Sequence, residues 1–306
     1  MKSLNDLTVV IVTFNTSRKV ILDCLNSISK NVNILIVENS ESFIDKDLVL
    51  TKFPNVNIVC TGENLGYGKG NNFGISHVKT DYVLILNPDV TCDEKFFTNI
   101  ISVVDEAKDF TIIGCQYLYD NIFMPAGFFD ENQNNSFIKN FKNNDIKPLS
   151  IVEWVTGCSM LINLNKFSNK NIFDKNFFLY FEEFDLCKSI IKSGGKIYTS
   201  RKLKIHHLGF KSSLSENKIE NLKITNLKDW HYMWSSFYFY RKNYNFIFAL
   251  WKLSGKFFKS FFKIIFFTFI FQKNDKNKYL YRFLGLLNSI MGKPSSYRVN
   301  ILDKLN

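Results

Sequence analysis

The stretch Tyr82-Val83-Leu84-Ile85-Leu86-Asn87-Pro88-Asp89-Val90 decides how this chain is read. Its short apolar run suits a strand buried on both faces, and the run ends on a single acid. Similar runs precede it at Leu7–Val12, Asn33–Val37 and Asn55–Cys60, and Thr111–Tyr119 follows. Between them the apolar period changes. Val20, Ile21, Leu25 and Ile28 share one stripe of a helix over Arg18–Ser29, and Asn71–Val78 and Glu94–Ala107 supply two more. Strands alternating with helices predict an α/β fold with a mostly parallel central sheet and flanking helices, in which ligands bind beyond the carboxyl ends of the strands.

Further along, residues 120–150 are dominated by Asn and Lys and read as a loop or lid. Regular structure resumes over Val152–Asn163, continues in a helix over 181–193, breaks at Gly194-Gly195 and returns in a short strand, Lys196–Thr199. Past Ser212 the composition turns aromatic and basic. This predicts a domain over 1–212 and a helical C-terminal region over 213–306.

With 306 residues and 46% hydrophobic content the chain can build a sizeable core, which excludes global disorder. Its net charge of +11 points to an anionic partner such as nucleic acid, acidic lipid or a nucleotide. No helix-turn-helix, zinc or RNA-recognition signature accompanies it, so nucleic acid is not expected. The six cysteines are scattered without metal spacing and fit reduced thiols of a cytoplasmic protein. Met1 leads through polar residues into Leu7–Val12, which predicts no secretory leader.

Three segments carry candidate chemistry. Phe177-Phe178-Leu179-Tyr180-Phe181-Glu182-Glu183-Phe184-Asp185 sets three carboxylates after a block of aromatics. At helical spacing Glu182 and Asp185 share a face, with Glu183 turned roughly 100° away. Lys204-Ile205-His206-His207 ends an apolar segment on imidazoles, of which strand alternation directs at most one toward a site. Brought together with Asp89, these would supply an acid and an imidazole for a divalent metal and a separate carboxylate for proton transfer. Polar residues also close the first two strands, at Thr13-Phe14-Asn15 and Glu38-Asn39-Ser40. Asn39 and Ser40 equally suit a helix cap, with Glu38 in solvent. The run Glu63-Asn64-Leu65-Gly66-Tyr67-Gly68-Lys69-Gly70-Asn71-Asn72-Phe73-Gly74 lets backbone approach a phosphate ahead of a helix.

This order of motifs resembles the family-2 inverting glycosyltransferases of GT-A fold, nearest to the rhamnosyltransferase-like members that build bacterial surface polysaccharides. The family's N-x-G-x-x-x-G-N-x-x-G loop is matched by Asn64, Gly66, Gly70, Asn71 and Gly74. Asn87-Pro88-Asp89 stands where the family has its D-x-D motif, with only the second acid present. The resemblance implies donor contacts from Thr13, Asn15, Glu38, Asn39, Asn64, Gly66, Gly70, Asn71 and Asn87, and a Mn²⁺ or Mg²⁺ ion held by Asp89 and His206. It places Glu183 at the general base, with Asp185 as the alternative, and Trp154, Gly157 and Glu182 on the acceptor side. The implied donor is a dTDP- or UDP-sugar, and the implied acceptor a glycan or lipid-linked glycan. Two other readings stand beside it: a Rossmann-type oxidoreductase, and an inactive basic membrane-binding adaptor on a transferase fold. The sequence does not set the oligomeric state.

In the tail, Lys252, Lys256, Lys259 and Lys263 fall on one helical stripe within a run dense in aromatics. The longest uncharged run, Ile264–Gln272, is too short to span a bilayer. A peripheral helix on the acidic inner face of the plasma membrane is expected, with Trp251, Phe257, Phe258, Phe261 and Phe262 entering the acyl boundary.

Overall fold

The computed structural model describes residues 1–119, 122–124, 126–143, 147–207 and 218–299. Its first half alternates strand and helix: Leu7–Thr13 (β1), Arg18–Asn26 (α1), Asn33–Glu38 (β2), Lys46–Lys52 (α2), Val56–Cys60 (β3), Tyr67–His77 (α3) and Tyr82–Leu86 (β4). Val90–Cys92 (β5), Phe96–Glu106 (α4), Ile112–Tyr119 (β6), Ile122–Met124 (β7), Glu131–Lys142 (α5), Leu149–Val152 (β8) and Ser159–Asn163 (β9) follow. Glu182–Lys192 (α6) and Ile197–His207 (β10) lead to three long helices, Lys218–Asn243 (α7), Phe246–Phe269 (α8) and Lys273–Ile290 (α9).

The sheet runs β3-β2-β1-β4-β9-β6-β10-β5, with β7 on β6 and β8 on β10. Its first four strands are parallel. Beyond them β9 runs antiparallel to both β4 and β6, while β10 is parallel to β6. Because side chains alternate along a strand, Val9 and Ile11 of β1 join Ile34, Ile36 and Leu84 on one face, while Val10 joins Leu35, Val37 and Ile85 on the other. Helices cover both faces. Ile21 and Leu25 of α1 and Ile100 and Val103 of α4 seal the first, and Ile75 of α3 and Leu186, Cys187 and Ile190 of α6 seal the second.

The chain divides into two compact units, Met1–Phe173 with Leu186–Ser213, and Asp174–Asp185 with Leu214–Asn306. The aromatic and acidic run therefore groups with the C-terminal helices, and the division falls inside α6. The boundary expected at 212 lies outside the described residues. In the second unit Met233 and Phe237 of α7, Ala249 and Leu253 of α8 and Leu286 of α9 form a small core.

Two sequence readings change. The stretch read as a loop contains α5, whose Phe137 and Phe141 are buried in the core of the first unit. β10 runs on to His207 past an irregularity between Ser200 and Lys204, rather than stopping at Thr199.

Candidate functional site

The carboxyl ends of β1 and β2 are tied together through Glu38, which is buried rather than solvated. Thr13 Oγ1 donates to one carboxylate oxygen at 2.6 Å and Ser40 Oγ to the other at 2.7 Å. The Asn15 backbone N–H also donates to this carboxylate, and burial nonetheless raises its pKa. Asn15 itself is exposed and sits in the left-handed region at φ +50°, turning the chain away from β1. Asn39 is no helix cap. Its Nδ2 donates to the Gly66 carbonyl at 2.9 Å, and its Oδ1 accepts from the Leu65 N–H at 3.2 Å, so it clamps the glycine-rich loop.

That loop opens α3, with Asn64 Oδ1 accepting from the Gly66 N–H at 3.0 Å. Gly66, at φ +80°, takes a conformation that side-chain-bearing residues rarely adopt. Gly70 and Gly74 serve packing. A Cβ on Gly70 would meet Val12 Cγ1 at 2.9 Å, and one on Gly74 would meet Val10 Cγ1 at 2.7 Å and Val37 Cγ2 at 2.8 Å. Helix α3 thus lies directly on β1 and β2. Asn71 is buried there, with Nδ2 donating to the Tyr67 carbonyl at 3.0 Å and Oδ1 lacking a hydrogen-bond partner among the described residues.

Asp89 follows β4 in a turn closed by the Val90 N–H on the Asn87 carbonyl, and the Asn87 N–H donates to the Cys158 carbonyl at 2.9 Å. The Asp89 side chain is buried. The imidazole beside it belongs to His207, with Nε2 3.3 Å from Asp89 Oδ1. The family resemblance puts His206 in this place, but His206 is exposed. The antiparallel register pairs His206 with Thr91 and His207 with Val90, which places His207 next to Asp89. A buried carboxylate and an imidazole form a donor set that suits Mn²⁺ or Mg²⁺ when phosphate and water oxygens complete the shell. Among the described residues no group of three or more His, Cys, Asp or Glu side chains gathers as a metal cage.

Trp154 is half-buried, and its indole N–H donates to the Phe128 carbonyl at 3.0 Å. The Gly157 carbonyl accepts from the Tyr67 hydroxyl, which couples the start of α3 to the segment before β9. Tyr67 lay in the quoted loop but carried no motif signal of its own.

In the second unit, Tyr180 and Phe181 sit consecutively at φ +70° and +69°, a strained pair just before the acids. α7 holds them there. Ser235 Oγ donates to the Leu179 carbonyl at 2.8 Å, and the Phe181 ring packs on Phe239 and Tyr232. The three carboxylates differ sharply. Asp185 is buried and accepts from Lys242 Nζ at 2.6 Å and Asn243 Nδ2 at 2.8 Å. Glu182 is buried with Oε2 unpartnered among the described residues, and desolvation together with Glu183 raises its pKa well above the carboxylate range. Glu183 is half-buried and pushed up to about 7, chiefly by desolvation. No sequence signal linked Lys242 and Asn243 to Asp185, because the contact joins residues nearly sixty positions apart.

The family model for glycosyl transferase family 2 matches residues 8–164, just over half of the chain. The chain belongs to glycosyl transferase family 2. Thr13, Glu38, the glycine loop, Asp89 and Trp154 lie inside the matched segment, while the acidic run and His207 lie beyond it. Among curated family relatives, the rhamnosyltransferase WbbL of Escherichia coli K12 is 24% identical, over 59% of this chain and 74% of its own. The low-salt glycan biosynthesis hexosyltransferase Agl10 of Haloferax volcanii is also 24% identical, over 60% and 61%. So is the N-acetylglucosaminyl-diphospho-decaprenol L-rhamnosyltransferase of Mycobacterium tuberculosis, over 58% and 66%. The fold is similar to that of the Pyrobaculum calidifontis mannosyltransferase PcManGT solved with GDP-Man and Mn²⁺, with TM-score 0.53, 10% identity, and 96% and 90% of the two chains covered. It is likewise similar to that of GalNAc-T7 solved with UDP, GalNAc and Mn²⁺, with TM-score 0.51, 12% identity, and 82% and 56% covered. The architecture is GT-A-like with added C-terminal helices. Family-2 membership removes the oxidoreductase reading.

Proposed function

We propose that this family-2 chain transfers rhamnose or a similar sugar from a nucleoside-diphosphate donor to a hydroxyl of a growing glycan, with inversion. The observation that carries the reading is the buried Asp89 beside His207 at the carboxyl edge of the sheet. Asp89 and His207 would hold a divalent ion, which when bound neutralises charge developing on the leaving diphosphate. Glu38, fixed by Thr13, Ser40 and the Asn15 N–H, keeps lone pairs to accept an N–H of the nucleobase. Asn39 and Asn64 hold the loop at Gly66 so that the start of α3 faces the donor. Trp154 shapes the acceptor side, its indole N–H held by the Phe128 carbonyl and its ring packed against Gly127 and the core.

Glu183 acts as general base. The acceptor oxygen forms its bond to the anomeric carbon as the bond to the diphosphate oxygen breaks, and the hydroxyl proton passes to Glu183. A carboxyl raised to about 7 is matched to that task near neutral pH. Asp185 is less suited, because Lys242 and Asn243 already occupy its oxygens.

The test is a panel of dTDP-, UDP- and GDP-sugars read out by nucleoside diphosphate release, with Mn²⁺ or Mg²⁺ and with chelator. Release with one donor class, lost on chelation, supports the reading. Donor binding without release from any donor would leave a binding module on a transferase fold.

A further inference from the structure

Helix α8 presents two unlike faces. Ala249, Leu253 and Ser260 are buried, and Phe257 packs its ring 4.8 Å from Phe283 of α9. Phe257 therefore faces inward and not, as its composition suggested, toward a membrane. On the other side Ile247, Trp251, Phe258, Phe262 and Phe269 follow one another at helical spacing, and Trp251, Phe262 and Phe269 remain 69%, 63% and 76% exposed. Phe261, Ile265 and Phe266 widen the strip. An exposed apolar strip of this length on a water-soluble surface marks a place that something covers.

The charges identify what covers it. α8 contains four lysines and no acid. Lys252, Lys256, Lys259 and Lys263 fall along one flank, centred about 120° around the helix from the aromatic line. Lys256 Nζ lies over the Tyr232 ring and Lys263 Nζ over Phe266 and Phe267, so their stems run along apolar surface while the ammonium groups stay at its edge. A second copy meeting this face would bring further lysines and no acid of α8 to pair with them. An anionic bilayer surface suits both features, since aromatics enter the acyl boundary and lysines meet the headgroups. No helix among the described residues is long and apolar enough to cross a membrane.

We infer that the Ile247–Trp251–Phe258–Phe262–Phe269 face of α8 docks flat on an anionic lipid bilayer, with Lys252, Lys256, Lys259 and Lys263 along the headgroup level. This goes beyond the transfer reaction and does not depend on it. The test is flotation of the full chain on phosphatidylcholine vesicles with and without phosphatidylglycerol. Wild type is expected to float only with the anionic lipid. Reversal of all four lysines to Glu should lower partitioning on the order of 10³-fold, at about fivefold per lysine. Phe258→Ser with Phe262→Ser should release the protein as well. If the Glu variant misfolds, the four-Gln variant with unchanged thermal melting takes its place. Lipids brominated near the headgroup should quench tryptophan emission of wild type more than that of Trp251→Phe, which keeps flotation. Failure of wild type to float on anionic vesicles, equal flotation of the lysine variant, or quenching unaltered by Trp251→Phe would each overturn the inference. So would a concentration-dependent dimer abolished by the Phe258/Phe262 change.

Discussion

His207 Nε2 stands 3.3 Å from Asp89 Oδ1, while His206 is exposed one residue earlier on the same strand. The pairing of His207 with Val90 in β5 sets this relationship, so a one-residue change of register would exchange the two imidazoles. Asp89→Ala is expected to remove transfer with the fold intact. His207→Ala should raise the Mn²⁺ concentration needed for half-maximal rate by at least ~10–100-fold, since that much is lost even when only a ligand's outer-shell partner is removed. His206→Ala should leave it near wild type. Titrating the metal against rate for the three variants checks the assignment, and a larger effect at 206 would reverse it.

The raised carboxyls couple activity and stability to pH in opposite senses. Transfer needs Glu183 deprotonated, so kcat should climb with pH through an acidic limb near 7. Stability moves the other way. Glu182 and Glu183 hold protons in the folded chain above the ordinary glutamate value of 4.5, so the folded state binds more protons than the unfolded one there. Their contribution to stability therefore falls as pH rises from about 4.5 toward 7 and beyond. Glu182→Gln should raise the thermal midpoint at pH 8 by more than at pH 5, which calorimetry at the two values would show.

Asp185 and Lys242 bind α6 to α7 within the second unit. Asp185→Asn should cost about 1–3 kcal/mol, between the values of exposed and buried pairs, because Lys242 keeps a second partner in Asp174. Urea unfolding gives the number. Transfer by this variant should fall less than the ~10² expected for losing a general base. A folded Asp185→Asn variant without transfer would move the base to 185.

Gly74 of α3 and Gly255 of α8 predict opposite packing effects without a chemical one. Gly74→Ala, with a Cβ inside 3 Å of Val10 and Val37, should cost ~1–3 kcal/mol through overpacking. Gly255→Ala on α8, which meets nothing within 4 Å, should stabilise by up to about 1 kcal/mol. Melting curves of the two variants would separate the effects.

The sheet was legible because β1, β2 and β4 are buried on both faces, which leaves unbroken apolar runs in the sequence. α5 was not, since Asn and Lys swamp its composition and only the i, i+4 pair Phe137 and Phe141 betrays a buried stripe. β10 was cut short because Arg201, Lys202 and Lys204 break its alternation around the irregular step. At the site, residue types and order along the chain were readable, but which neighbour of a pair faces inward was not. His206 against His207 turned on strand register, and Glu183 against Asp185 on Lys242 and Asn243 reaching from α7. Gly70, read as a phosphate contact, owes its identity to Val12 and Asn39 lying within about a side chain's reach of α3.

The most direct test of Glu183 as the base is Glu183→Gln, assayed at neutral pH for nucleoside diphosphate release and glycoside formation with the donor selected by the panel. The donor KM should be unchanged and kcat lower by ~10²–10⁴-fold. A kcat within a few-fold of wild type, with both products formed in equal amounts, would contradict Glu183 as the base.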